Sequence, residues 1–189
     1  MELKAGLFVD ASNLYRKDGP SLNYRALRSA ASERYDLLHC NVYVAIDPEN
    51  PKPVKGFMAA LRDIGFKVIG KEWSRNANGF ISAGLDMELA IDVLTQSSQL
   101  DVVFLVTGDP DFTRLVRAMQ SRGKRVEVMA FQDRISTALR QEADAYHALE
   151  TLENIFMEEP EKPQPDTNES PALQKLEERQ SRTRSAFRR

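Results

Sequence analysis

Cysteine is almost missing from this sequence. Cys40 stands alone, so no disulfide can close within the chain and no cysteine-rich zinc site can be assembled. Histidine is nearly as scarce: His39 and His147 lie far apart, each beside apolar residues, which leaves no metal-ligand spacing. The glycines form no phosphate-cradling loop and frame no serine as a nucleophile elbow. No apolar run approaches the roughly 18 residues a membrane-spanning helix needs, and the amino terminus lacks the basic-then-apolar layout of a signal peptide. These absences predict a cytoplasmic chain with no membrane partner. Charge of one sign is also lacking. With a formal net charge of -2, any nucleic acid would have to be held by a local basic patch.

What is present is acid at the ends of apolar strands. The run Val102 to Val106 reads as a strand buried on both faces, and Thr107-Gly108-Asp109-Pro110-Asp111 ends it. Asp109 is placed to cap a following helix with Pro110 at its first position. Capping alone would explain one such acid. Two acids at the carboxyl end of a strand fit a site better, because open parallel sheets build their sites on that edge. The first strand, Leu7-Phe8-Val9, runs into Asp10 in the same way. If the two strands are neighbours, about 4.8 Å apart, their terminal carboxylates crowd together and call for a cation.

Strands and helices alternate along residues 1–157, which predicts a three-layer α/β sandwich around a mostly parallel five-stranded sheet in the order 3-2-1-4-5. The strands are expected at 7–9, 37–46, 66–69, 102–106 and 125–131. Asp47 follows the second strand among prolines, and turn chemistry explains it best. The polar stretch 70–79 reads as a mobile loop, in which Lys71 and Arg75 flank the only tryptophan, Trp73. They could hold a phosphate backbone while Trp73 stacks a base, or Trp73 could simply pack while the charges are solvated. In the helix from Ala83 to Ser98, Asp86 falls inside the apolar arc and in the first turn, whereas Asp92 belongs to the solvent face. Residues 158–189 carry Pro160, Pro163 and Pro165 among acids and end in Arg188-Arg189, predicting a flexible linker and basic tail that either solubilises the chain or tethers RNA or an acidic partner.

Four segments together resemble a known family: Phe8-Val9-Asp10-Ala11-Ser12-Asn13, Gly84-Leu85-Asp86, Val106-Thr107-Gly108-Asp109-Pro110-Asp111-Phe112 and Glu142-Ala143-Asp144-Ala145-Tyr146. In this order they are similar to the NYN domain, the LabA-like branch of the PIN nuclease superfamily. The resemblance implies a PIN-like fold and ribonuclease chemistry, with Asp10, Asp86, Asp109 and Asp111 as the acidic cluster and Asn13 as a polar neighbour. It also implies a lysine just before the Gly-x-Asp step, where this sequence has Ala83.

An all-oxygen cluster suits hard cations, so the expected cofactor is Mg²⁺ or Mn²⁺, with Asp10, Asp86 and Asp109 as ligands and Asp111 acting through water or on the nucleophile. The expected partner is RNA, single-stranded, contacted by Asn13, Lys71 and Arg75; a homodimer stays open. The competing reading is a catalytically idle NYN module that binds RNA or regulates through an interaction. A haloacid-type phosphatase would want an acid two residues after Asp10, where Ser12 stands.

Overall fold

The computed structural model describes residues 2–16, 19–75, 81, 82 and 84–157. The chain opens with β1 (Lys4–Asp10), the single turn α1 (Ala11–Leu14) and α2 (Tyr24–Ser32), followed by β2 (Asp36–Ile46), α3 (Lys52–Asp63) and β3 (Lys67–Glu72). A small antiparallel pair, β4 (Ser74–Arg75) and β5 (Ile81–Ser82), stands apart from the main sheet. After it come α4 (Leu85–Gln96), β6 (Val102–Val106), α5 (Thr113–Gln120), β7 (Arg125–Ala130), α6 (Thr137–Glu142) and β8 (Ala145–Ala148).

The main sheet has the order β3-β2-β1-β6-β7-β8 and every neighbouring pair is parallel. The order expected for the first five strands stands, but the count does not, since a sixth strand pairs Ala145 to Ala148 with Glu127 to Ala130. That strand is four residues long and lies at the sheet edge, so it lacks the long apolar run that marks the buried strands. A second correction concerns Lys71. It is not in a loop: Lys71 pairs with Ala45 inside β3, and Trp73 N–H then donates to the Ile46 carbonyl.

Strand alternation sorts the core into two layers. Ala5, Leu7 and Val9 of β1, with Val102, Phe104 and Val106 of β6, face α2 and α3 through Leu27, Ala31, Met58 and Leu61. Phe8, Val103 and Leu105 face the other way, against Leu85, Leu89 and Val93 of α4 and Val116 and Met119 of α5. Each of the larger side chains among them, withdrawn from water, contributes about 1.5–3 kcal/mol. This alternation decides where the acids point. Asp10 continues the even-numbered face of Phe8, so it leans toward the layer that contains α4.

In α4 the contact seam is narrower than the apolar arc of the sequence. Leu85, Leu89 and Val93 are buried, but Met87 and Ile91 are exposed, and Asp86 is exposed at the helix start rather than turned into the core. Asp92 is not purely solvent-facing either. It accepts the Tyr43 hydroxyl at 2.8 Å, and with Asn41 bonded to both Tyr43 and Gln96 it fixes α4 to β2. Residues 158–189, read as linker and tail, lie outside the described residues.

Candidate active site

Two loops meet where the strand order reverses, at the carboxyl ends of β1 and β6. Asp10 is 5% exposed and ends β1 as the cap of α1. One carboxylate oxygen accepts the Asn13 N–H at 3.1 Å and the other accepts the Thr107 hydroxyl at 3.2 Å. That hydroxyl in turn accepts the Asp109 N–H at 3.3 Å, so Thr107 bridges the two strand-end acids. Asp109 caps a 3-10 turn, Pro110–Phe112, by accepting the Asp111 N–H at 2.9 Å. The cap expected of Asp109 is therefore made, although the first turn is 3-10 and α5 begins only at Thr113.

Asn13 is the brace between the loops. Its side-chain oxygen accepts the Gly108 N–H at 2.9 Å, while Arg134 donates to the carbonyls of Asn13 and Tyr15 at 3.0 and 2.8 Å. Gly108 is needed here for close approach, because a Cβ at that position would run into the Arg134 carbonyl oxygen. Thr107 could have been found from the Thr-Gly-Asp run after a buried strand. Arg134 could not, since it reaches the site from the loop after β7 and shows no local pattern.

Asp86 enters from the first turn of α4, after Gly84 in the left-handed region at φ 59. Its carboxyl pKa lies above the ordinary carboxylate range, first because neighbouring atoms desolvate it, then because of the charges of Asp109 and Asp111. Asp10 is also raised. Burial is the main cause and the charge of Asp86 adds to it, while the hydrogen bonds from Asn13 and Thr107 pull the other way. The four carboxylates thus share one neighbourhood, linked through Asp86. On the flank, Lys71 pairs with Glu88 at 2.9 Å, and its ammonium lies 3.6 Å from where a Gly84 Cβ would stand. The Arg75 side chain and Ala83 lie outside the described residues. Asp47 is elsewhere in an ordinary turn, accepting the Glu49 N–H at 2.9 Å.

Among the described residues no three Asp, Glu, His or Cys side chains converge as a ready-made metal cage. The donor chemistry still fits a hard divalent ion: every candidate donor is a carboxylate oxygen, and Mg²⁺ keeps several waters and takes as few as one or two carboxylates. Among the described residues no helix is long and apolar enough to cross a membrane.

Comparison with known proteins agrees with this geometry. The NYN domain matches residues 4–150. The chain is 28% identical over 171 residues to the low amplitude and bright protein LabA of Synechococcus elongatus, covering 86% of this chain and 91% of that one. It is 30% identical over 146 residues to an uncharacterized protein of Methanocaldococcus jannaschii, covering 76% of this chain and 54% of that longer protein. A crystal structure of a protein of unknown function from Vibrio parahaemolyticus superposes with a TM-score of 0.72 at 27% identity, covering 82% of this chain and 96% of the other. Since the match takes in all six strands of the main sheet and all four strand-end and helix-start acids, this chain belongs to the NYN domain family, a PIN-like group whose members are generally nucleases.

Proposed function

We propose that this protein is a metal-dependent ribonuclease that hydrolyses phosphodiester bonds of single-stranded RNA in the cytoplasm. The observation that carries the reading is the electrostatic crowding of Asp10, Asp86, Asp109 and Asp111 at the switch point of the sheet. Asp10, Asp86 and Asp109 would hold Mg²⁺ or Mn²⁺, which supplies a more acidic bound water and a positive charge for the leaving oxygen. In the reaction a water oxygen bonds to phosphorus as the bond to the leaving ribose oxygen breaks, and the proton given up by the water is balanced by one taken up by that oxygen. Asp111, exposed at the start of the 3-10 turn, is suited to orient the water. Thr107 and Asn13 keep the two strand-end loops in register, and Asn13 is also close enough to the acids to meet substrate. Lys71, beside the start of α4, and Arg75 would meet the phosphate backbone.

A second reading has its own support. The absence of a three-ligand cage among the described residues, and the pairing of Lys71 with Glu88, fit an idle module that binds RNA without cutting it. Labelled single-stranded RNA incubated with pure protein and Mn²⁺ separates the two. Cutting that EDTA stops, and that Asp10→Asn or Asp109→Asn lowers at least about a hundredfold, is expected. The size follows because loss of outer-shell groups alone already costs about 10- to 100-fold at metal sites. Binding without cutting would establish the idle module instead.

A further inference from the structure

A groove of about 840 Å³, predominantly apolar, opens beside the acidic crevice. One wall is α3, through Val54, Phe57 and Leu61, and the other is the segment from α1 into α2, through Tyr15 and Tyr24. Three features distinguish it from an accidental gap in the packing. Its volume is that of a ligand site, where 300–1,000 Å³ is typical. Its aromatic side chains are presented rather than sealed: Tyr15 is 70% exposed and Phe57 is 37% exposed, with Phe57 held edge-on to Tyr24 at 5.4 Å. Its rim carries a cation that is not already paired. Arg16 lines it but is held by Asp133 and lies over the Phe131 ring, whereas the Arg25 guanidinium makes no ion pair or side-chain hydrogen bond among the described residues.

The groove is also continuous with the crevice. Ala11 and Ser12, the two residues that follow Asp10, line it, and the Tyr24 hydroxyl is raised in pKa by its burial and then by the nearby Asp10 charge. A strand with a phosphate at the acids therefore meets this groove next along the turn that follows Asp10. A nucleobase has a π-face for Tyr15 and Phe57, and its flanking phosphate complements Arg25; an acidic peptide would offer Arg25 the same charge but no face for the rings.

We infer that this groove is a base-stacking subsite, in which Tyr15 and Phe57 hold unpaired bases of an RNA strand adjoining the phosphate at the acidic crevice, and Arg25 holds the backbone at the rim. The inference rests on the ribonuclease reading for its substrate, but not on turnover.

The test is fluorescence anisotropy in EDTA, with the full chain and two labelled 12-nucleotide probes: a mixed-sequence single-stranded RNA, and a strand with the same sugar-phosphate backbone that carries no bases. Stacking on an aromatic side chain is worth roughly 5- to 150-fold in affinity. Tyr15→Ala and Phe57→Ala should therefore weaken the RNA probe by about tenfold or more and leave the abasic probe within about twofold. Tyr15→Phe should bind like the wild type, and Arg25→Ala should weaken both probes. Tyr15 is exposed, so its variants test the idea even where Phe57→Ala perturbs folding. Unchanged RNA affinity in Tyr15→Ala, or equal losses for both probes, overturns the subsite. So does a groove variant that alters only the sedimentation mass, because the face would then belong to a second copy of this chain. The ribonuclease reading fails separately: base-dependent binding sensitive to Tyr15, with no Mn²⁺-dependent cutting, keeps the groove and rejects the nuclease. Cutting with no dependence on Tyr15 or Phe57 does the reverse.

Discussion

Two buried acids of the same sheet behave in opposite ways. Glu127, near the amino end of β7, is 2% exposed and accepts from three donors: Arg125 Nε at 2.6 Å, His147 Nε2 at 2.7 Å and the Tyr35 hydroxyl at 3.0 Å. Burial alone would raise its pKa, but those hydrogen bonds outweigh burial and the carboxyl ends below its ordinary range. Asp10, at the carboxyl end of β1, is nearly as buried and ends above it, because burial outweighs the hydrogen bonds it accepts from neutral groups and the charge of Asp86 adds to the burial. Strand alternation puts the two on opposite faces, Glu127 with Phe104 and Asp10 with Phe8. The lesson concerns use. A satisfied carboxylate fastens β8 and the α2–β2 connection to the sheet, whereas a crowded one holds charge that folding does not need and a cation can take up.

The comparison breaks most visibly through Glu127. Replacing it with alanine leaves the cation Arg125 and the Tyr35 hydroxyl without their acceptor. Because Arg125 is half exposed and can be hydrated, the cost is mainly that of the lost charge-assisted hydrogen bonds, about 1.5–3 kcal/mol, which for a domain of this size is a fall of roughly 3–12 °C in melting temperature. A loss under about 1 kcal/mol by denaturant titration would show that the network contributes little.

Thr107→Val sharpens the other side. It keeps the shape of the side chain but removes the hydroxyl between Asp10 and Asp109, so it should lower RNA cutting about tenfold while costing only about 1 kcal/mol of stability. The informative readout is the dependence of rate on Mn²⁺ concentration, which should shift to higher Mn²⁺ in this variant and return in Thr107→Ser. A purely structural threonine would leave that dependence where it was.

The two acids should also respond to pH with opposite signs. Glu127, depressed in the fold, contributes stability that is present above its unfolded pKa and disappears as pH falls through the lower folded value. Asp10 and Asp86, raised in the fold, contribute stability that is complete below their unfolded pKa and is lost as pH rises through the raised values. Melting curves at pH 4 and pH 7 should therefore show the Glu127→Gln penalty shrinking toward acid. The smallest effect is expected for Asp86→Asn. Removing one of the crowded charges should raise the melting temperature at pH 7 slightly, since solvent screens an exposed carboxylate, and the gain should fade toward pH 4 as the native carboxyl takes up its proton. A destabilised Asp86→Asn at pH 7 would mean that Asp86 is satisfied after all.

Much of this was legible along the chain. Five β-rich runs separated by helical ones fix an α/β sheet, and acids placed directly after two of them mark its carboxyl edge. The first five strands follow from those patterns because buried parallel strands leave long apolar runs, and their order follows from the doubly wound arrangement that strand–helix alternation favours. The sixth strand does not, since four edge residues carry no such signal. Lys71 reads as loop for a related reason: β3 lies at the opposite edge and its last residues are exposed, so their polarity looks like a loop.

Other parts were decided only when the chain closed on itself. Helical spacing assigned Asp86 to the apolar arc, yet the seam that α4 buries uses only Leu85, Leu89 and Val93, which frees Asp86 for the crevice. The Thr107 bridge, the Asn13 brace and the Arg134 support join residues about a hundred positions apart, and no local pattern encodes such partners. The groove beside Tyr15 and Phe57 likewise exists only as the space between two helices. The order of residues settled which chemistry this protein has available, because residue type and strand periodicity are local properties. Which acids are satisfied and which are crowded was left to the fold, because a carboxylate's charge depends on neighbours that only packing supplies.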